Sequence, residues 1–126
     1  MRHIVLAALL AATAPAALAA PVPKEQLLKP PADAVHYVVA SEAGKHGDQW
    51  RWQLPDGRTA YRWSQELRGW ITEMDQVSSY SPDGTLQGLE IRGVTTAGDA
   101  AETFKIDAGK ASWTTVTDKG TAPAGG

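Results

Sequence analysis

The chain contains no cysteine among its 126 residues. That absence excludes a disulfide scaffold, a thiolate nucleophile and a lipid anchor on an N-terminal cysteine. An exported protein without disulfides must draw its stability from a hydrophobic core. In a domain of about 100 residues such a core is modest in size but sufficient for folding.

An excess of basic residues is also missing. Twelve Lys and Arg residues stand against fourteen Asp and Glu residues, which gives a formal net charge of −2. A nucleic-acid-binding domain carries a basic face. The composition therefore predicts no nucleic-acid partner.

The N-terminal segment has the order of parts that is typical of a secretory signal peptide. Arg2 is followed by an apolar run at residues 4–12, which is too short to span a bilayer as a helix, and by the sequence ALA at residues 17–19. We predict a signal helix over residues 1–19, cleavage after Ala19, and a periplasmic or secreted protein without a transmembrane segment. A buried apolar helix is the alternative interpretation.

The rest of the chain divides into three parts. Residues 20–33 contain proline pairs at both ends and are predicted to form an extended leader, with a short helix over residues 24–29 as an alternative. Residues 34–119 have the composition of a β-meander domain. Residues 120–126 consist mainly of Gly, Ala and Pro, and we interpret them as a linker-like tail cut from a longer protein.

Turn sequences separate the runs of strand character in the central part. Examples are PDGR at residues 55–58, SPDG at 81–84 and DAGK at 107–110. Alternation with a period of two is clear at Trp50, Trp52 and Leu54. We predict an all-β fold, an antiparallel meander curved into a partly open barrel or half-sandwich. The seven predicted strands cover residues 34–41, 48–54, 59–64, 71–81, 85–94, 100–106 and 111–117.

Three local features of this meander are predicted from single residues. Residues 65–70 are interpreted as a loop that turns at Gly69, with a helical turn as the alternative. Gly88 lies where the alternation of the fifth strand changes phase, which predicts a β-bulge. Trp113 on the last strand is predicted to be buried against Phe104 across the turn at residues 107–110.

An aromatic cluster lies between residues 50 and 70. We predict that Trp50, Trp52, Tyr61 and Trp63 point to one side of neighbouring strands. The favoured interpretation is a packed core, because aromatic rings bury a large area and suit strands. The alternative is a ligand-facing stacking platform made of these four side chains, which would take a sugar or another flat molecule.

No set of polar residues has the pattern of a catalytic or metal site. Two histidines and one carboxylate fall short of the three or four converging ligands that zinc requires. Carboxylates at no fixed separation do not indicate glycoside hydrolysis, and the serines lack a G-x-S-x-G turn. The groups considered are His36, His46 and Asp48; Glu66, Glu73 and Asp75; and Ser78, Ser79 and Ser81. We predict no catalytic, cofactor-binding or metal-binding residue in this chain.

Five short motifs carry a family resemblance. They are HYVV at residues 36–39, SPDGTL at 81–86, EIRGV at 90–94, AETF at 101–104 and ASW at 111–113. The resemblance extends over most of residues 35–120 and depends on the order and spacing of these motifs. The chain resembles the N-terminal β-rich region of exported bacterial amidohydrolases, the imidazolonepropionase-like group of the metal-dependent superfamily.

The resemblance implies a particular role. In that family the β-rich region precedes a (β/α)₈ barrel, whose metal centre is entered through a His-x-His pair that this chain lacks. The resemblance therefore implies a non-catalytic N-terminal domain or fragment of a hydrolase acting on C–N bonds. The metal and the chemistry would belong to a downstream barrel, the expected partner. A different interpretation is a small periplasmic β-protein that binds an apolar or aromatic ligand.

Overall fold

The computed structural model describes residues 20–125, and these form one open antiparallel sheet of nine strands. The predicted all-β meander is therefore confirmed, and the sheet is not closed. The predicted signal peptide lies outside the described residues, as does Gly126. The strands are β1 (Val35–Ser41), β2 (Gly44–Gln53), β3 (Thr59–Leu67), β4 (Trp70–Tyr80), β5 (Leu86–Thr95), β6 (Gly98–Asp99), β7 (Glu102–Asp107), β8 (Lys110–Thr115) and β9 (Lys119–Pro123).

Almost every strand pairs with the strand that follows it in the chain. The order across the sheet is β1-β2-β3-β4-β5-β7-β8-β9, and the two-residue β6 pairs with the end of β5. Short turns produce this order, because a tight hairpin places consecutive strands side by side. The main strands therefore cross the sheet in sequence order.

Two hairpins are tighter than the sequence predicted. The β1–β2 turn is Glu42 and Ala43 alone, and β2 begins at Gly44. The predicted loop at residues 65–70 is wrong, because β3 continues to Leu67 and β4 starts at Trp70. Arg68 and Gly69 both have positive φ, at 52° and 82°, which is the backbone of a two-residue hairpin turn.

The segment predicted as a linker-like tail contributes a strand. Residues Lys119–Pro123 pair with β8 as β9, although Lys, Gly and Pro are poor strand formers. Gly120 lies opposite Trp113, and a Cβ atom at position 120 would come 2.8 Å from Cε2 of the indole. The close approach of the Trp113 ring therefore requires glycine at this point of the sheet.

The predicted bulge in the fifth strand is confirmed. Ser79 pairs with Gly88 and Tyr80 pairs with Leu86, so Gln87 is the extra residue. Because one residue is inserted, Leu86 reaches the same side of the sheet as Leu89. The phase change in the sequence is thus the mark of the bulge.

The first side of the sheet carries charges. Strand registers place His36, Trp50, Arg62, Asp75 and Arg92 directly opposite one another, one on each strand from β1 to β5. Residues opposite one another in a pair of strands share a side of the sheet. We call the side that bears this row the charged face.

The second side is rich in apolar residues, and we call it the apolar face. The registers place on it the row Leu89, Phe104 and Trp113 across β5, β7 and β8. Its other large apolar members are Tyr37, Tyr61, Trp63, Met74, Leu86, Ile91 and Ile106. Most of these side chains are half-buried, because neighbouring strands shield them and no second layer lies on them within residues 20–125.

The leader crosses the charged face. It contains one 3₁₀ turn at Lys24–Gln26, flanked by extended backbone at Pro23 and Leu27, and a second turn at residues 31–34 in which the Ala34 N–H donates to the Pro31 carbonyl. Among residues 20–125 the buried apolar side chains are Leu27 and Ala60, and the buried polar ones are Arg62, Asp75 and Ser78. Four of these five, Leu27, Ala60, Arg62 and Asp75, lie on or against the charged face, whereas Ser78 is opposite Leu89 and lies on the apolar face.

Candidate interaction surfaces

The centre of the charged face is an ion-pair network. Arg92 donates to both oxygens of Asp75, from Nε to Oδ1 at 3.0 Å and from the terminal nitrogen to Oδ2 at 2.5 Å. Asp75 is 1% exposed, whereas the Arg92 side chain is 34% exposed. The hydrogen bond to Asp75 raises the pKa of Arg92 above its ordinary value. This two-point contact joins β4 to β5 in a fixed geometry.

A second ion pair lies beside the first. Arg62 donates to Glu73 Oε2 at 2.6 Å, and Ser64 Oγ donates to Glu73 Oε1 at 2.5 Å. Lys24 of the leader lies 3.2 Å from Oε1. Burial alone would raise the pKa of Glu73, but hydrogen bonds from Ser64, Arg62 and Lys24 outweigh it and lower that pKa. Glu73 is therefore held as a carboxylate.

The leader is bound to these carboxylates. The backbone N–H of Leu28 donates to Asp75 Oδ2 at 2.7 Å. Leu27 is 4% exposed, so its side chain is the apolar anchor of the leader. The groove between the leader and the sheet is lined by Leu27, Leu28, Trp50, Arg62 and Ser64, among others. Charge, apolar burial and a backbone hydrogen bond all contribute to this contact.

The four candidate aromatic residues do not share one side of the sheet, which corrects the prediction. Trp50 pairs with Arg62 and therefore lies on the charged face with Trp52. Tyr61 and Trp63 alternate with Arg62 and lie on the apolar face, where their rings stack at 5.6 Å. The stacking platform proposed from the sequence is thus reduced to the pair Tyr61 and Trp63.

The first hairpin gathers both histidines of the described chain but no converging ligand set. His36 Nε2 lies 2.6 Å from Asp48 Oδ1, and its ring stacks on Trp50 at 5.2 Å. A hydrogen bond from Lys45, followed by the contact with His36, lowers the pKa of Asp48. His46 Nε2 instead lies 2.6 Å from Ser41 Oγ. Within residues 20–125 no three potential metal ligands come together.

Most of the remaining polar candidates have structural partners. Glu73 and Asp75 are engaged by arginines, and Glu66 is exposed at the end of β3. Ser78 is fully buried and accepts a hydrogen bond from Gln76 at 2.7 Å. Ser81 donates to Asp83 in the β4–β5 turn, and this bond, with that from the Thr85 N–H, lowers the pKa of Asp83 to about 2. These groups hold strands and turns.

Sequence reasoning missed Arg62, Arg92 and Leu27. Each strand shows its own alternation, but the pairing of Arg62 with Asp75 and of Asp75 with Arg92 depends on the register of β3, β4 and β5. Leu27 had a usable signal, since Leu27 and Leu28 are the largest apolar residues of the leader.

No helix between residues 20 and 125 is long and apolar enough to cross a membrane. Comparisons with family models, curated proteins and solved structures gave no match for this chain.

Proposed function

We propose that this chain is a non-catalytic β-domain whose apolar face packs against the catalytic barrel of an exported amidohydrolase-like hydrolase. The observation that carries the proposal is the apolar face itself. An antiparallel sheet normally packs one face on a core and leaves the other in water. Here the face in contact with the leader is the charged one, and the side rich in aromatic and aliphatic residues has no layer over it within the described chain.

The size of this face supports a docking role. Its apolar side chains extend over β3, β4, β5, β7 and β8, which spans about 20 Å at a strand spacing of about 4.8 Å. Along the strands they occupy four rows, which adds roughly 20 Å. Gln76 and Glu102 lie among these rows, so apolar side chains cover most but not all of this area, and large apolar patches on monomers are often functional.

The resemblance supports the choice of partner. In the amidohydrolase family a β-rich region of this kind stands beside a metal-containing (β/α)₈ barrel, whose outer surface is formed by helices. Amphipathic helices and one face of a sheet are natural packing partners. The motifs that carry the resemblance include AETF at 101–104 and ASW at 111–113, which contribute Phe104 and Trp113 to the apolar face.

The experiment begins with the reading frame that follows codon 126. We expect it to encode a barrel that begins with a His-x-His pair. The separately expressed barrel should bind the β-domain at micromolar or lower concentration, measured by calorimetry. A frame that lacks such a barrel, or a barrel that does not bind the folded domain, would contradict the proposal.

Two variants on neighbouring positions of β7 locate the contact. Phe104→Lys places a charge on the apolar face, and we expect it to weaken binding at least tenfold. Thr103→Lys places the same charge on the exposed opposite side, and it should bind like the wild type. Equal losses for both variants would show that docking does not use the apolar face.

A second candidate function is the binding of a small aromatic or apolar ligand by the stacked pair Tyr61 and Trp63. Aromatic faces at 5.6 Å in a half-exposed position can accept a further flat ring on top of them. Native mass spectrometry of protein purified from the periplasm would detect such a ligand. Its loss in Trp63→Ala but not in Trp50→Ala would assign it to the apolar face.

A further inference from the structure

The leader contacts the sheet as a bound peptide does. Within the described residues it forms no strand pair, and its backbone hydrogen bonds are local, from Gln26 to Pro23, from Leu27 to Lys24 and from Ala34 to Pro31. Its direct polar contacts with the sheet are the Leu28 N–H to Asp75 and Lys24 to Glu73. The leader therefore lies on the sheet without forming a strand of it.

The two carboxylates that bind the leader are held in place by other residues of the sheet. Arg92 holds Asp75 through two hydrogen bonds, and Arg62 with Ser64 holds Glu73. All five residues belong to β3, β4 and β5. Because these contacts do not need the leader, the carboxylates stay in place when the leader leaves, and a preorganised site loses less entropy on binding.

Three features of the groove define the peptide that it accepts. Glu73 selects a basic side chain, and the buried position of Leu27 selects a bulky aliphatic residue three positions further on. Asp75 is 1% exposed and takes the backbone N–H of the next residue. The recognised sequence is thus Lys-x-x-Leu followed by a residue with a free N–H, which excludes proline at that position.

The connection between leader and sheet is short, and its one hydrogen bond is local, from the Ala34 N–H to the Pro31 carbonyl. Residues 30–34 join the bound segment to β1, and they contain Pro30 and Pro31. Five residues span about 17 Å when extended, which allows the leader to reach a groove on a neighbouring molecule. Exchange of such an element between identical chains is a low-cost route to dimers.

We propose that the groove on the charged face is a peptide-binding site that accepts the leader of a second copy of this chain in trans, so that exchanged leaders join two molecules. The leader bound in the same chain competes with the leader in trans. Its effective concentration is in the millimolar range, as expected for a short tether. When a substitution weakens the binding of a chain's own leader, the groove of that chain becomes free to bind the intact leader of another molecule.

The first test uses the full mature chain with Leu27→Ser and a synthetic peptide of residues 20–32. We expect saturable one-to-one binding by calorimetry. Wild-type chain should bind the peptide at least roughly tenfold more weakly, because its own leader competes. A peptide that carries serine at position 27 should bind the variant roughly 10- to 100-fold more weakly, the loss expected for one buried leucine.

The second test asks whether another copy supplies the peptide. Leu27→Ser chain has an intact groove and a weak leader, and Glu73→Gln chain has an intact leader and a weakened groove. Mixed one to one at ten times the peptide dissociation constant, they should form heterodimers by sedimentation velocity, more than either variant alone. If the mixture contained only monomers, or if each variant alone dimerised as much as the mixture, the proposal of leader exchange would be overturned.

A control keeps the test decisive if Leu27→Ser does not fold. Lys24→Glu retains the buried leucine and places two carboxylates together at Glu73. Its groove should bind the peptide several-fold more tightly than wild-type chain does. A circular dichroism spectrum identical to wild type, with no gain in peptide binding over wild type, would overturn the proposal.

Discussion

The two faces of the sheet are stabilised in different ways. The charged face joins its strands through Arg62, Glu73, Asp75 and Arg92 and is crossed by the leader. The apolar face carries most of the aromatic rings, yet its side chains are only half-buried. The folded chain thus uses charge-assisted hydrogen bonds where it is most protected. The apolar face, which in most antiparallel sheets would be buried in a core, has no second layer packed on it within residues 20–125.

The largest expected effect comes from breaking the charged face at its centre. Asp75→Ala removes the acceptor of both Arg92 hydrogen bonds and of the Leu28 N–H. Removing one partner of a buried ion pair costs about 3–5 kcal/mol. Urea unfolding should show a loss of this size, whereas Glu90→Ala, an exposed carboxylate on the same face, should change stability by less than about 0.5 kcal/mol. Similar values for both variants would contradict the central role of Asp75.

The next effect tests the apolar face. Trp113 is the cross-strand partner of Phe104 as predicted, but it is half-buried rather than buried. We therefore expect Trp113→Ala to cost about 2–3 kcal/mol, less than the range for a fully buried aromatic residue. Trp70 is 70% exposed, and Trp70→Ala should cost less than about 0.5 kcal/mol. Thermal unfolding in which Trp70→Ala is the more damaging change would contradict the assigned facing of β8.

A smaller effect is expected where the backbone of β9 meets the same indole. A Cβ atom at Gly120 would come within 3.0 Å of three ring atoms of Trp113, so the ring or the strand must move. Gly120→Ala should cost about 1–3 kcal/mol, as overpacking does. Gly125→Ala introduces the same methyl group into open space and should have no effect on the denaturant midpoint.

The smallest effect depends on pH. The pKa of Glu73 lies below its ordinary value of 4.5 in the folded chain, so its contribution is complete above that value and is lost as pH falls through the lowered pKa. The stability difference between wild type and Glu73→Gln should be about 1 kcal/mol at pH 7 and should shrink as the pH is lowered below 4.5. A difference independent of pH would show that the glutamine effect is not electrostatic.

The sequence predicted the positions of the strands better than the side of the sheet on which their side chains lie. Turn sequences at residues 55–58, 81–84 and 107–110 placed three hairpins correctly, because Pro, Asp and Gly determine turn geometry locally. The turn at Gly69 was predicted, but its two-residue length was not, because arginine rarely adopts the positive φ that Arg68 has here. β9 was missed because its pairing with β8, not its composition, makes it a strand.

Whether residues of two strands lie on the same side of the sheet depends on the register of their pairing, which the sequence of a single strand does not show. Trp52 pairs with Ala60, so the even-numbered residues of β2 and β3 share a side and Tyr61 falls on the other. A shift of one residue would have brought all four candidate aromatic residues together, since each slip moves a strand's side chains to the opposite side. The candidate site was therefore the least predictable part of the molecule.

The order of strands in the sheet has a kinetic consequence. Since nearly all pairings join segments adjacent in the chain, the mean sequence separation of contacts is low, and such chains fold quickly for their size. Each strand depends only on its neighbours, as in solenoid proteins, so opening can start at β1 or β9 without disturbing the middle. Amide hydrogen exchange should therefore be slowest in β4, intermediate in β2 and β7, and fastest at the two outer strands, a gradient that a two-layer sandwich would not show.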